Sequence, residues 1–534
     1  MLKMNATSLL QKNDWSDVGV TIPSFDYPAM VSATKAAPTW LHFGAGNIFR
    51  GFIAQLQQQL LDAGKAKTGI IATDTFDFEI IDRIYKPYDN LTMLVSLKAD
   101  GVMEQEIIAS VAESIKTDPA GLSRLKEIFI NSSLQMVSFT ITEKGYGLVD
   151  LKGQFLPVVQ SDLATGPQQP KHVMGIVTAL LYERYLAGKS PLALVSMDNC
   201  SHNGEKLQAS VTTIAEAWQE QGFVETGFLA YLHDEQLVSF PWSMIDKITP
   251  RPSEQVEKHL TELGITGMSP LVTGKQTFIA PFVNAEIPQY LVIEDKFPNG
   301  RPALEDAGVY FTDRQTVNQT ERMKVTTCLN PLHTALAVFG CLLGYESIAA
   351  EMEDAQLKTL VEKIGYDEGM PVVVDPKIIS PQQFIHEVIN ERLPNPFIPD
   401  TPQRIATDTS QKIAIRFGET IKSYVSRADL EVTDLFFIPL VLAGWCRYLL
   451  RVDDKLAPME VSSDPMLPEL TKALAGIKVG APETYQGQLR TILANKVLFG
   501  VDLWEVGLGE KIEGLFLEML AGEDAVRKTL LKYL

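Results

Sequence analysis

Between about residues 39 and 250, short apolar runs alternate with longer stretches whose apolar residues recur at helical spacing. "TWLHF", "TGIIAT", "MLVSL", "QMVSFTIT" and "PLALVSM" are apolar almost throughout, the pattern of strands buried on both faces. Helical patterns such as "MGIVTALLYERYLAG" (174–188) lie between them. The alternation predicts an α/β domain with a mostly parallel sheet covered by helices. Beyond about residue 300 the texture changes. "LHTALAVFGCLLGY", "DLFFIPLVLAGWCRYLL" and "GLFLEMLAGEDAVRKTLLKYL" are long helical patterns with few strand-like runs between them, predicting a second, mainly α-helical domain. "EDKFPNGRPALEDAG" (294–308) lies near the crossover, so domains of 1–290 and 291–534 are expected. A chain of 534 residues is long for one core and suits two.

Composition narrows the partners. The 47 Lys and Arg against 66 Asp and Glu leave a formal net charge of −19, which disfavours a nucleic acid or an anionic membrane. No apolar run in the sequence approaches the roughly 20 residues of a membrane span. "MLKMNATSLLQKNDW" has neither a long apolar core nor a small-residue cleavage site, so secretion is not expected. The four cysteines, Cys200, Cys328, Cys341 and Cys446, are scattered with no C-x-x-C pair. That spacing fits a reducing cytoplasm and points away from a structural zinc site. No bound metal is expected.

The candidate chemistry begins at "GAGNIFRGF". After strand "TWLHF", Gly44 and Gly46 would let the backbone turn tightly and approach a pyrophosphate, and Phe52, Ile53, Leu56 and Leu60 mark one face of the helix that follows. Phe49 occupies the place of the usual third glycine, and an ordinary tight turn is the competing reading. Asn47, Ile48 and Arg50 complete the expected cofactor segment. "TGIIATDTFD" then brings Asp74 to the end of the next strand, where a carboxylate can bind a ribose diol. Asp77 competes for that role, and a helix cap is the plainer reading of Asp74.

"GAGNIFRGF", "VSFTITEKGYG", "SMDNCSHNGEKL", "FPWSMIDKITP", "VIEDKFPNGRPALEDAGV" and "ERMKVTTCLNPLH", in this order, resemble the long-chain mannitol dehydrogenase family, with matching segments from about residue 40 to 415. The resemblance implies a Rossmann-type N-terminal domain, a helical C-terminal domain, and a metal-free alcohol–ketone interconversion with NAD(P). Lys324 matches the family's acid/base; on its own, a lysine in a helical segment reads as a surface cation. Asn199 and Asn330 match side-chain amides that hold the developing oxyanion, and His333 matches a histidine that fixes substrate hydroxyls or the lysine. Glu321 matches a proton-gating glutamate, or forms an ordinary helix-surface ion pair. Asp246, Arg404 and Lys412 match substrate-binding residues. The family spacing is K-x4-N-x2-H, whereas "KVTTCLNPLH" is K-x5-N-x2-H. One extra residue turns a helix by about 100°, so a bulge, a break at Pro331 or a loop must compensate.

"TITEKGYG" bears on the substrate. Mannitol-type members tend to have glycine where this chain has Lys144, and fructuronate-reductase-like members tend to have lysine. Lys144 could meet a sugar-acid carboxylate, or be a solvated turn residue. The reading is NADH-dependent reduction of D-fructuronate to D-mannonate, NAD being preferred because Asp74 repels a 2′-phosphate. Alternatives are a mannitol or other polyol 2-dehydrogenase, a tagaturonate reductase, or an inactive protein that senses NAD or sugar. Its partner is then a small sugar acid or polyol. Nothing in the sequence bears on oligomeric state.

Overall fold

The computed structural model describes residues 1–150 and 152–534. Two compact units emerge: Met1–Lys98 with Val102–Asn318, and Gln319–Leu534 with the short piece Ala99–Gly101. The division falls after Asn318 rather than near residue 290, because strand Tyr290–Glu294 pairs with Ser243–Asp246 on one side and Tyr310–Thr312 on the other. Those backbone ladders bind residues 290–312 to the first unit.

The first unit is built on six strands: β1 (Trp40–Phe43), β2 (Ile70–Asp74), β3 (Val111–Lys116), β4 (Met136–Phe139), β5 (Leu192–Ser196) and β6 (Val238–Ser239). They pair in the order β6-β5-β4-β1-β2-β3, and every pairing is parallel. Alternating residues serve opposite faces. Leu41, Phe43, Val137, Phe139, Leu192 and Leu194 join one buried cluster, while Trp40, Met136, Ala193 and Val195 join another. A sheet with two apolar faces needs helices on both, and its strands therefore read as unbroken apolar runs. The chain order reverses direction between β1 and β4, which opens a crevice at their carboxyl ends.

"MLVSL" departs from the expected parallel sheet. Thr92–Leu97 pairs antiparallel with Met103–Ile108 and parallel with Phe282–Glu286, in a separate four-stranded sheet. Its apolar run resembles those of the central strands because it too is buried. Composition reports burial, not the identity of the neighbour.

In the second unit the described residues form helices and isolated bridges, with no β-strand. Helix Phe437–Tyr448 packs against Asn330–Leu343 where Gly444 meets Phe339; a Cβ on Gly444 would stand 2.7 Å from that ring. Arg447, fully buried, holds the carbonyls of Met519 (3.1 Å), Val452 (2.5 Å) and Asp453 (3.0 Å). The last helical pattern is split into Gly509–Met519 and Ala525–Tyr533, with Gly522 at φ +143° between them. By length and composition, the helical stretch Arg314–Leu343 could cross a membrane, although no apolar run of that length was read in the sequence. Its apolar window is 83% buried within the protein, as in a core helix.

Candidate active site

The glycine turn lies at the crevice between β1 and β4. Gly44 has φ +104°, and a Cβ there would stand 2.1 Å from the Thr140 carbonyl oxygen, so only glycine fits. Thr140 N–H donates to the Phe43 carbonyl (2.9 Å) and Thr140 Oγ1 to the Gly44 carbonyl (3.2 Å), drawing the two strand ends together. His42 supports this contact from inside the sheet. Its ring nitrogens lie 2.6 Å from Ser138 Oγ and 2.8 Å from Thr140 Oγ1, and its ring stacks on Phe49 at 4.1 Å. Burial pushes the His42 pKa down to about 3, so the ring is neutral. Phe49, standing where a third glycine is usual, therefore packs against the strand.

Gly46 plays the opposite part. Nothing lies within 4 Å of the position its Cβ would take. That open space belongs to a cavity of about 620 Å³ lined by Gly44, Gly46, Asp74, Phe76, Thr142 and Lys144, among others. Asp74 sits at the carboxyl end of β2. One carboxylate oxygen accepts from Phe76 N–H and Asp77 N–H (both 2.8 Å) and the other from Ala45 N–H (3.1 Å). Burial raises the Asp74 pKa, against these three donors. Asp77 is differently engaged: it caps the helical turn Phe78–Ile80 and accepts from Thr273 Oγ1 at 2.5 Å. The cavity, the glycine whose side is open to it, and the strand-end carboxylate together fit the dinucleotide.

Asn47 and Arg50 turn their side chains inward. Fully buried Arg50 donates to the Ala280 carbonyl (2.8 Å) and to Asn47 Oδ1 (2.9 Å), and half-buried Ile48 packs on the core. For a ligand this leaves the backbone N–H groups that begin the helix at Asn47. Lys144, expected at the substrate's carboxylate, is exposed and lines the same cavity as Gly44 and Asp74.

Asn199 is exposed in the bend after β5, and Asp246 is buried on strand Ser243–Asp246 opposite Tyr290. Sequence reading passed over Asp198, the anchor of the Asn199 bend. It accepts from Ile141 N–H and Thr142 N–H (both 2.9 Å) and from the Tyr146 hydroxyl (2.6 Å). Thr142, at φ +64°, is a β-branched residue in a strained conformation that these bonds hold in place. A carboxylate directly after an apolar strand was the available signal.

In the second unit, helix Arg314–Met323 carries Glu321 and leads into a π-helical turn, Lys324–Cys328. Leu329 N–H donates to the Lys324 carbonyl (3.1 Å), and helix Asn330–Leu343 follows with Pro331 in its first turn. The wider turn takes up the additional residue of K-x5-N, and Lys324 is buried within it. His333 follows on the next helix, with Nε2 3.6 Å from Asp400 Oδ2. Burial lowers its pKa to about 4, against the pull of Asp400 and with Arg416, Arg392 and Arg404 adding to the lowering. Buried Asp400 also holds Arg404 through Nε (2.7 Å) and Nη2 (2.6 Å). No periodicity marks Asp400 in "FIPDTP". Lys412 donates to the Thr407 carbonyl. Among the described residues, no three His, Cys, Asp or Glu side chains gather as metal ligands.

Comparison with known proteins matches residues 38–306 to the mannitol dehydrogenase Rossmann domain and 316–514 to the mannitol dehydrogenase C-terminal domain. A D-mannonate oxidoreductase of Thermotoga maritima is 57% identical over 533 residues, 99% of this chain and 98% of that one. A D-mannonate oxidoreductase of Escherichia coli is 27% identical, covering 91% of this chain and 93% of its own. The structure of Pseudomonas fluorescens mannitol 2-dehydrogenase, a ternary complex with NAD and D-mannitol, aligns over 100% of both chains at 25% identity and a TM-score of 0.69.

Proposed function

Since the chain belongs to the mannitol dehydrogenase family, an NAD-dependent oxidoreductase family acting on CH–OH groups, we propose that it interconverts D-fructuronate and D-mannonate. The observation that carries the substrate is the full-length likeness to the Thermotoga D-mannonate oxidoreductase. When bound, the dinucleotide supplies or accepts the hydride. Gly44, Gly46 and the backbone N–H groups of Asn47 to Phe49 would hold its pyrophosphate, and the lone pair left free on Asp74 Oδ2 would accept from a ribose hydroxyl. Lys324 gives a proton to the carbonyl oxygen during reduction and takes it back during oxidation. Asn199 and Asn330 donate hydrogen bonds to that oxygen as negative charge grows on it. Glu321 passes the proton between Lys324 and water. His333, neutral by virtue of its burial, orients a substrate hydroxyl, and Asp246, Arg404 and Lys412 bind the rest of the substrate. No disulfide joins the four cysteines among the described residues.

The test is a spectrophotometric screen. NADH oxidation is followed with D-fructuronate, D-tagaturonate and D-fructose, and NAD reduction with D-mannonate and D-mannitol. D-fructuronate and D-mannonate should give the highest kcat/KM, with NADH favoured over NADPH because Asp74 repels a 2′-phosphate. Preference for D-fructose and D-mannitol would replace this substrate by a polyol, and equal use of NADPH would remove the role given to Asp74.

A further inference from the structure

Arg416 lies one helical turn after Lys412, its N–H donating to the Lys412 carbonyl (2.9 Å), so both cations lie on one side of the helix. Its guanidinium turns toward helix Asn330–Leu343, where Nη1 donates to Thr334 Oγ1 at 2.6 Å, beside His333. Arg404 reaches the same histidine through Asp400, 3.6 Å from its Nε2. Arg416 and Arg404 thus stand beside one neutral imidazole, with Lys412 near both of them, and the counter-charges of these three cations differ. Arg404 has Asp400, and Lys412 has Asp408 and Asp464 in its vicinity. Arg416 faces no carboxylate among the described residues, and burial alone lowers its pKa, to about 10. Glu351, which lies near Asp400, does not supply the missing charge: burial pushes its pKa up to about 10 and keeps it protonated.

A half-buried cation with no counter-charge is costly in a folded protein, and this one stands next to the residues assigned to the substrate. We propose that Arg416 is the seat of the substrate's carboxylate and the residue that selects a sugar acid over the corresponding neutral polyol. A guanidinium can meet a carboxylate with two parallel N–H···O bonds. Bound there, the anion supplies the charge that the protein withholds. Lys144, which lines the dinucleotide cavity, is relieved of that role. The assignment rests on the sugar-acid reading given above.

The experiment compares D-mannonate with D-mannonamide, which keeps the hydroxyls and shape but carries no charge. The unaltered protein should prefer the acid. Arg416→Gln should lower kcat/KM for D-mannonate by about tenfold or more, chiefly through KM, and leave the amide within about threefold. Arg416→Lys should recover part of the loss. Equal losses on acid and amide, or an unchanged KM for D-mannonate, would overturn the assignment. If Arg416→Gln does not fold, Thr334→Val, which frees the guanidinium from its hydroxyl partner, should raise KM for the acid alone; no such difference would also overturn it. An unaltered protein that oxidises D-mannitol but not D-mannonate would overturn the sugar-acid reading itself, and is recognised before any variant is made.

Discussion

Two buried residues of the helical unit carry opposite consequences. Lys324 sits in the π turn and is assigned the proton. Lys324→Ala should lower kcat by about 10²–10⁴-fold while the dissociation constant for NADH, read by fluorescence, stays near its starting value. Turnover close to normal would remove the lysine from the mechanism. Glu351 has no assigned role, and neither carboxylate oxygen has a hydrogen-bond partner. A Cβ on Gly340 would stand 1.9 Å from Oε1, so the neighbouring helix admits this side chain only at a glycine. With its folded pKa raised to about 10, Glu351 contributes stability that is fully present below its unfolded value. That contribution is lost as pH climbs toward 10. Glu351→Gln cannot ionise. Urea unfolding should therefore show the variant gaining on the parent from pH 5 to pH 9, and a constant difference across that range would refute the protonated state.

At the scale of the element, the π turn Lys324–Cys328 decides whether the departure from the family spacing matters. An α-helix through the same residues would turn Asn330 and His333 by about 100° relative to Lys324. The wider turn absorbs one residue, and the helix beyond it resumes with Pro331 at its start. Deleting Thr327 should restore α-helical winding and the K-x4-N spacing. If the turn only accommodates the insertion, that variant remains active. A loss of more than about tenfold in kcat with an unchanged melting temperature would mean that the neighbours of Lys324 are built around the extra residue.

Across the whole molecule, acid stability follows from two histidines far apart in sequence. Burial lowers the pKa of His42 to about 3 and of His333 to about 4. Each is neutral when folded and protonated more readily when unfolded, so each contributes stability above about pH 6.5 that is lost as pH falls toward its folded value. Unfolding free energy should drop between pH 6.5 and 4 beyond what the carboxylates account for. His42→Asn should flatten part of that slope, and an unchanged slope would show that the ring is charged in the sheet. Because His333 stays neutral, it should leave no inflection in the pH–rate profile near 6.5.

Much of this architecture was legible in the order of residues. A strand buried on both faces must be apolar along its length, so β1, β2, β4 and β5 announced themselves, and so did the helix-rich texture past residue 300. Gly44 was legible because backbone geometry there excludes every side chain. The pairing of Thr92–Leu97 was not legible, since an apolar run specifies burial but not a partner. Nor were the inward turn of Arg50 and the place of Lys144: a basic residue beside a glycine turn has the same letters whether it meets a ligand or a buried carbonyl. Asp400 and Arg416 carry no local signal, because each depends on groups more than 60 residues away. Local sequence determined where the chain turns, extends and winds. Which charges lie side by side, and which is left without a partner, was decided only when distant segments packed together, because burial and Coulombic attraction depend on separation in space.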